Sequence, residues 1–350
     1  MEQEFRRNDY DVTNTIQVSS TDDVREAVIE IFAATYPTQK DFSRLSRAFD
    51  YFHSMFTGEL EGFVGCETVY HDLQHSLDVT LAMARLIGGY EKATPKDDRL
   101  GEELGIFGVV LALFHDSGYI RRVDVDDGHG AEYTKIHVAR SGEYLQNYLP
   151  QIGLDIYVDI APDIIRYTNP AQVINEIGVT DAKFHLIGQL LGTADYMAQM
   201  SDRCYLEKAR DRLYAEFVLG GVAVESDENG GANIRYESGA ELLKETPKFF
   251  EDVMEKRLNG DFDRVYRYFE HWFDGERPYL AAIDKNIAFL QEYLAKNTLP
   301  DLKRNPPCFI IDEEGLSDTQ TLAAERLREY ITTDPVETKT EVKAKSSGSK

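Results

Sequence analysis

The 350-residue chain is 42% hydrophobic and 29% charged, enough apolar sequence for one large core or two modest ones. Its 38 basic against 62 acidic residues leave a formal charge of −24, which argues against nucleic acid or an anionic membrane as partner, since both are polyanions. An anionic substrate would have to meet a local positive centre such as a bound metal. The three distant cysteines, Cys66, Cys204 and Cys308, read as neither a disulfide framework nor a Cys-x-x-Cys site.

The first residues lack the basic-then-apolar order of a secretory signal, and no apolar run approaches the roughly 20 residues needed to cross a bilayer, so a cytoplasmic protein without a membrane partner is expected. Residues 1–18 read as a polar N-terminal segment and 19–300 as one helical domain. Within it, 19–34 carries Val24, Ala27, Val28, Ile31 and Phe32 at helical spacing behind the capping candidates Ser20, Thr21 and Asp22. The range 41–56 repeats that pattern and stops at Gly58. Residues 70–88 predict a long helix with one apolar face, and 102–115 one that is apolar all round, as at the centre of a bundle.

A loop rich in Asp and Gly follows over 118–130. Helix is then expected over 131–148, 157–167, 181–219, 239–258 and 262–294, with some of these broken in two. The charged run 202–217 reads as an exposed helix laced with ion pairs. Only 232–236 invites a small β excursion. The last stretch, 301–350, reads as an extension, with a short segment at 309–312 and disorder from about 336, where large apolar residues nearly vanish. The expected class is therefore all-α.

Chemistry concentrates in 69–201. His71 and His75 stand four residues apart, so on one helix they would project about 40° from each other. His115-Asp116 ends the all-apolar helix, where an imidazole and a carboxylate need a partner. Asp195 interrupts an otherwise apolar helix in which Gly188 and Gly192 suggest close packing. Two imidazoles and two carboxylates suit one or two divalent ions: Zn, Mn, Fe or, less comfortably, Mg.

The segment Tyr70-His71-Asp72-x-x-His75-x-x-Asp78-Val79 resembles the Tyr-His-Asn-x-x-His-x-x-Asp-Val signature of class I cyclic-nucleotide phosphodiesterases, within the HD superfamily of metal-dependent phosphohydrolases. The resemblance covers about 69–201. It implies an HD/PDEase-like bundle in which His75, His115, Asp116 and Asp195 bind a first metal and Asp116 bridges to a second. His71 would then be the general acid, with metal-activated water attacking a phosphate ester. After Asp116 those enzymes continue into a further His and a Pro-Gly pair, whereas this chain reads Ser117-Gly118-Tyr119-Ile120-Arg121-Arg122, so the motif names no substrate.

His137 is a further candidate for the second metal. Arg140, Arg166 and Asn169 are candidate contacts to a small phosphorylated substrate. Asp72 and Asp78 read either as groups orienting the histidines or as solvated helix residues. His53, His185 and His271 read as structural, and the aromatics between 266 and 273 as core or homodimer contacts. Two other functions share the ligand pattern. An HD-type di-iron oxygenase would need more nitrogen ligands, for which only His129, His137 and His185 are available. A catalytically silent metal-binding regulator would not require His71 beside the ligands.

Overall fold

A computed structural model describes residues 5–226, 232–309 and 314–332, and the expected tail beyond 336 lies outside them. The chain is all-α. Ser20 caps α1 (Thr21–Thr35), its hydroxyl accepting from the Asp23 amide, and the five apolar residues expected on its inner face are buried. α2 (Ser43–Thr57) ends at Gly58 in the left-handed region, φ 79°. α3 (Leu73–Ala93) and α4 (Glu102–Phe114) follow, then α5 (His137–Tyr148), α6 (Ala161–Ile165) and α7 (Ala182–Ser201).

α8 (Tyr205–Lys208) runs through a π-helical segment (Ala209–Leu213) into α9 (Tyr214–Leu219). After them come α10 (Gly239–Asp252), α11 (Tyr268–Trp272), α12 (Pro278–Lys296) and α13 (Glu314–Thr332). Among the described residues the one sheet is an antiparallel pair, β1 (Val224–Ser226) and β2 (Ala232–Ile234), of which only β2 lies in the expected β excursion. No helix of the described residues is long and apolar enough to cross a membrane.

The long helical ranges are broken for local reasons. Asp202 leaves the helical region after α7 and its carboxylate accepts from the Cys204 amide at 2.8 Å, starting a new helix. Pro162 and Pro278 sit in the first turns of α6 and α12, where a missing N–H costs nothing. Asp274 and Gly275, both at positive φ, separate α11 from α12.

α3 occupies the centre, packed on α1, α4, α7 and α11, and is buried on nearly every side rather than on one face. Its polar residues disguised this. Arg85 is buried because it donates to Asp11 at 2.6 Å and to the Tyr279 hydroxyl at 3.1 Å. Asp11 belongs to the polar N-terminal segment, and it accepts amides of Thr15 and Ile16 as well, so that segment is anchored in the core. α4 is apolar and buried from Gly105 to Phe114, as its composition requires. Each of its large apolar side chains contributes about 1.5–3 kcal/mol on burial.

α7 passes close to its neighbours through its two glycines. A Cβ on Gly188 would lie 2.6 Å from the Tyr167 ring, and one on Gly192 the same distance from Phe262. The charged run 202–217 is not an exposed helix: Glu207, Lys208, Arg212 and Glu216 are all buried. Lys208 pairs with Asp202 at 2.8 Å. The extension also contains a helix that was not expected. α13 packs on α9, Gln320 donates to the Asp211 carbonyl, and Arg326 reaches Glu132 at 3.1 Å.

Candidate metal centre

Four helix segments converge on one point. His75 sits in the first turn of α3, which Asp72 caps by accepting the His75 amide at 2.9 Å. His71 therefore precedes the helix and does not share a helical face with His75; its ring is aimed by other contacts. His115 closes α4, Asp116 follows it, Asp195 projects from the middle of α7, and His137 opens α5.

The donor atoms of His75, His115 and Asp195 all lie within 4.8 Å of one another. His75 Nε2 is 3.4 Å from Asp116 Oδ2 and 3.5 Å from Asp195 Oδ1, and His115 Nε2 is 3.2 Å and 3.9 Å from the same two atoms. Donors about 2.1 Å from a shared ion stand roughly 3.4 Å apart when tetrahedral and about 3.0 Å apart when octahedral neighbours. The two separations to Asp116 fall in that range, and the two to Asp195, at 3.5 and 3.9 Å, are longer, so a shared ion would draw Asp195 inward.

Hydrogen bonding points the donors inward. His115 Nδ1 donates to the Ala112 carbonyl at 2.8 Å, which leaves the lone pair on Nε2. His115 Nε2 and Asp116 Oδ2 are both buried without a hydrogen-bond partner among the described residues. Two acceptors so close repel unless a cation lies between them. The residues present fit a divalent ion.

Without an ion, a proton takes the positive role. Burial opposes a charged His75, but Asp116 and Asp195 outweigh it and push its pKa up to about 10. His115 is raised in the same way, against its own burial, by Asp116 and Asp195. Burial would raise Asp116, yet His115 and His75 hold it well below the usual carboxylate range.

The other Asp116 oxygen faces a different partner. Oδ1 lies 3.5 Å from His137 Nε2, and His137 Nδ1 donates to the Thr134 carbonyl at 2.7 Å. Burial lowers the His137 pKa, keeping a neutral ring with its lone pair toward Asp116. Gly118 permits this approach, because a Cβ there would fall 1.9 Å from the His137 carbonyl oxygen.

His71 is held by a residue that reasoning from the sequence did not single out. Glu216 on α9, fully buried, accepts from His71 Nδ1 at 2.6 Å and from the Tyr70 amide at 2.6 Å. That fixes the His71 ring, and its Nε2 has no hydrogen-bond partner among the described residues. The signal lay in Tyr214-Ala215-Glu216-Phe217-Val218-Leu219, a carboxylate among apolar residues, which is the argument that picked out Asp195. Tyr119 completes the wall: its ring stacks on His71 with centroids 4.7 Å apart and on His137 at 4.4 Å.

The candidate substrate contacts are engaged elsewhere. Arg140 donates to the Gly118 and Ile120 carbonyls and to Asp126, bracing the loop after Asp116. Arg166 bonds Gln172 and Asp163, and Asn169 accepts the Ala171 amide in a turn. His129 accepts the Ala131 amide, His185 pairs with the Tyr167 hydroxyl at 2.6 Å, and His53 meets Thr21.

Comparison of the chain with family models, with curated proteins and with solved structures finds no match.

Proposed function

We propose that the chain is a metal-dependent phosphohydrolase of the HD type, cleaving a phosphate ester of the nucleotide or cyclic-nucleotide class in the cytoplasm. The observation that carries this reading is the pairing of functions: the Nε2 atoms of His75 and His115 lie 3.2–3.9 Å from carboxylate oxygens of Asp116 and Asp195, and an oriented histidine, His71, stands beside them. A divalent ion held there would supply an activated water and neutralise charge on the phosphoryl oxygens.

His71 supplies the proton. With Nδ1 donating to Glu216, the ring is held so that its Nε2 can deliver a proton to the leaving oxygen as the P–O bond breaks. Asp116 offers one oxygen to each side, Oδ2 to His75 and His115 and Oδ1 to His137, which suits a second ion as well as a first. The di-iron oxygenase alternative is less well supported, because of the three extra histidines it could draw on only His137 approaches the centre.

The test is a screen of protein loaded with Mn²⁺, Mg²⁺ or Zn²⁺ against cyclic nucleotides, nucleoside mono- and triphosphates and a generic phosphodiester. Turnover should vanish in Asp116→Ala and be slowed in His71→Ala. Absence of turnover on every phosphate ester by the metal-loaded protein would overturn the proposal.

A further inference from the structure

Three of the four histidines at the centre have their second ring nitrogen committed. His71 Nδ1 donates to Glu216 at 2.6 Å, His115 Nδ1 to the Ala112 carbonyl at 2.8 Å, and His137 Nδ1 to the Thr134 carbonyl at 2.7 Å. His75 differs. Its Nε2 faces Asp116 and Asp195, and its Nδ1 has no hydrogen-bond partner among the described residues. An imidazole that binds metal through Nε2 carries its proton on Nδ1, and that proton normally goes to a carboxylate, a carbonyl or a water.

His75 lines a cavity together with Tyr70, Gln74, Asp78, Gln199 and Asp202, whose volume open to water is about 20 Å³. That is room for a water molecule, which needs two or more polar partners to stay. Two of the possible acceptors are already in use. Asp202 pairs with Lys208 at 2.8 Å and accepts the Cys204 amide, and Gln199 Oε1 accepts from the Tyr70 hydroxyl at 3.3 Å. Asp78 is in the opposite situation. It lies one helical turn from His75 on α3, is 7% exposed, and its carboxylate makes no hydrogen bond or ion pair among the described residues, with Oδ1 wholly enclosed. Burial pushes the Asp78 carboxyl up to about 7, and its ionised form stays costly unless something in the cavity donates to it.

We infer that Asp78 is a positioning residue for the metal centre: a water in this cavity accepts the Nδ1 proton of His75 and donates to the Asp78 carboxylate, fixing the ring that presents Nε2 to the ion. The inference rests on the metal-binding reading of the centre. It gives a buried carboxylate that the fold does not otherwise use a defined task, and it supplies His75 with the outer hydrogen bond that His115 and His137 receive from the backbone. The neighbouring Asp72 has a different part, capping α3 from outside the cavity.

The experiment uses the full-length protein loaded with Co²⁺. Affinity is measured by competition with a chelator, and ¹H NMR follows the exchangeable, paramagnetically shifted N–H protons of the coordinated imidazoles. Asp78→Leu is expected to weaken Co²⁺ binding about 10- to 100-fold. It should also speed exchange of one imidazole proton while that of His115, held by the Ala112 carbonyl, persists. Asp78→Asn keeps an acceptor oxygen and should recover most of the affinity. Metal-free Asp78→Leu should melt no lower than wild type, since a leucine removes a buried carboxyl that has no partner among the described residues and that burial pushes up to about 7. Unchanged affinity and unchanged proton exchange in Asp78→Leu would overturn the inference. So would equal losses in both variants together with a lowered melting temperature of the metal-free protein, the mark of a purely structural role. Failure of the wild type to bind Co²⁺ is a separate result: it removes the metal reading, and the relay with it.

Discussion

Glu216 on α9 accepts a hydrogen bond from His71 Nδ1 at 2.6 Å, joining two residues 145 positions apart in the chain. On the proposed reading the contact divides the work at the centre: His75, His115, Asp116 and Asp195 would bind the ion, and Glu216 would act through His71. Replacing either His71 or Glu216 by alanine should therefore cut turnover by about 10²–10⁴, the usual contribution of a general acid, without changing bound metal. Elemental analysis alongside initial rates checks this. Loss of metal in Glu216→Ala would move Glu216 from the proton donor to the metal site.

The metal-free protein should lose stability as pH rises. The folded pKa of His75 is about 10, above its ordinary 6.5, so its contribution is complete below about 6.5 and is lost as pH climbs through about 10. A divalent ion replaces that proton, so the gap between melting temperatures with and without Zn²⁺ should be wider at pH 9 than at pH 7. An equal gap at the two pH values would contradict the competition between proton and metal.

The Asp11–Arg85 pair predicts a second, acid-side dependence. Burial would raise Asp11, but Arg85 and the hydrogen bonds from Ile16 and Thr13 outweigh it and hold the carboxyl at about 2. A depressed carboxyl stabilises above its ordinary value and stops doing so as pH falls through about 2, a contribution of roughly 2 kcal/mol. Asp11→Ala should destabilise by about 3–5 kcal/mol in urea at neutral pH, because Arg85 is left buried and unpaired. A change under about 1 kcal/mol would show that the pair is not closed in solution.

Gly192 couples packing to the site. An alanine Cβ there would lie 2.6 Å from Phe262 and 2.8 Å from the Tyr167 carbonyl, three residues before Asp195. Gly192→Ala should cost about 1–3 kcal/mol and weaken metal binding in the same variant, as α7 is pushed from its neighbours. Full metal affinity in a destabilised variant would separate the two effects.

What could be read from the chain alone was the chemistry that stood out against an apolar background. His115 and Asp116 at the end of α4 and Asp195 within α7 are polar residues where burial is otherwise complete, and the structure brings them together with His75. Glu216 followed the same rule but was masked by the charges before it, Lys208 to Arg212, whose spacing imitates a solvated helix. Lys208 and Arg212 are buried, Lys208 against Asp202 across the break after α7 and Arg212 against the distant Val69 carbonyl, contacts that helical spacing does not reveal. Arg140 and Arg166 were favoured by proximity in sequence, but Arg140 braces the loop after Asp116 and Arg166 bonds its near neighbours Asp163 and Gln172. His71 and His75 looked like a helical pair because periodicity does not place a cap, and Asp72 starts α3 between them.

The most direct measurement is a Mn²⁺ titration that follows bound metal and phosphodiester hydrolysis together, in wild type and in Asp116→Ala. Bound metal and turnover should rise in parallel in the wild type, and both should be lost in the variant, since Asp116 faces His75 and His115 with one oxygen and His137 with the other. Hydrolysis by Asp116→Ala at the wild-type rate, or hydrolysis indifferent to Mn²⁺, would contradict the account.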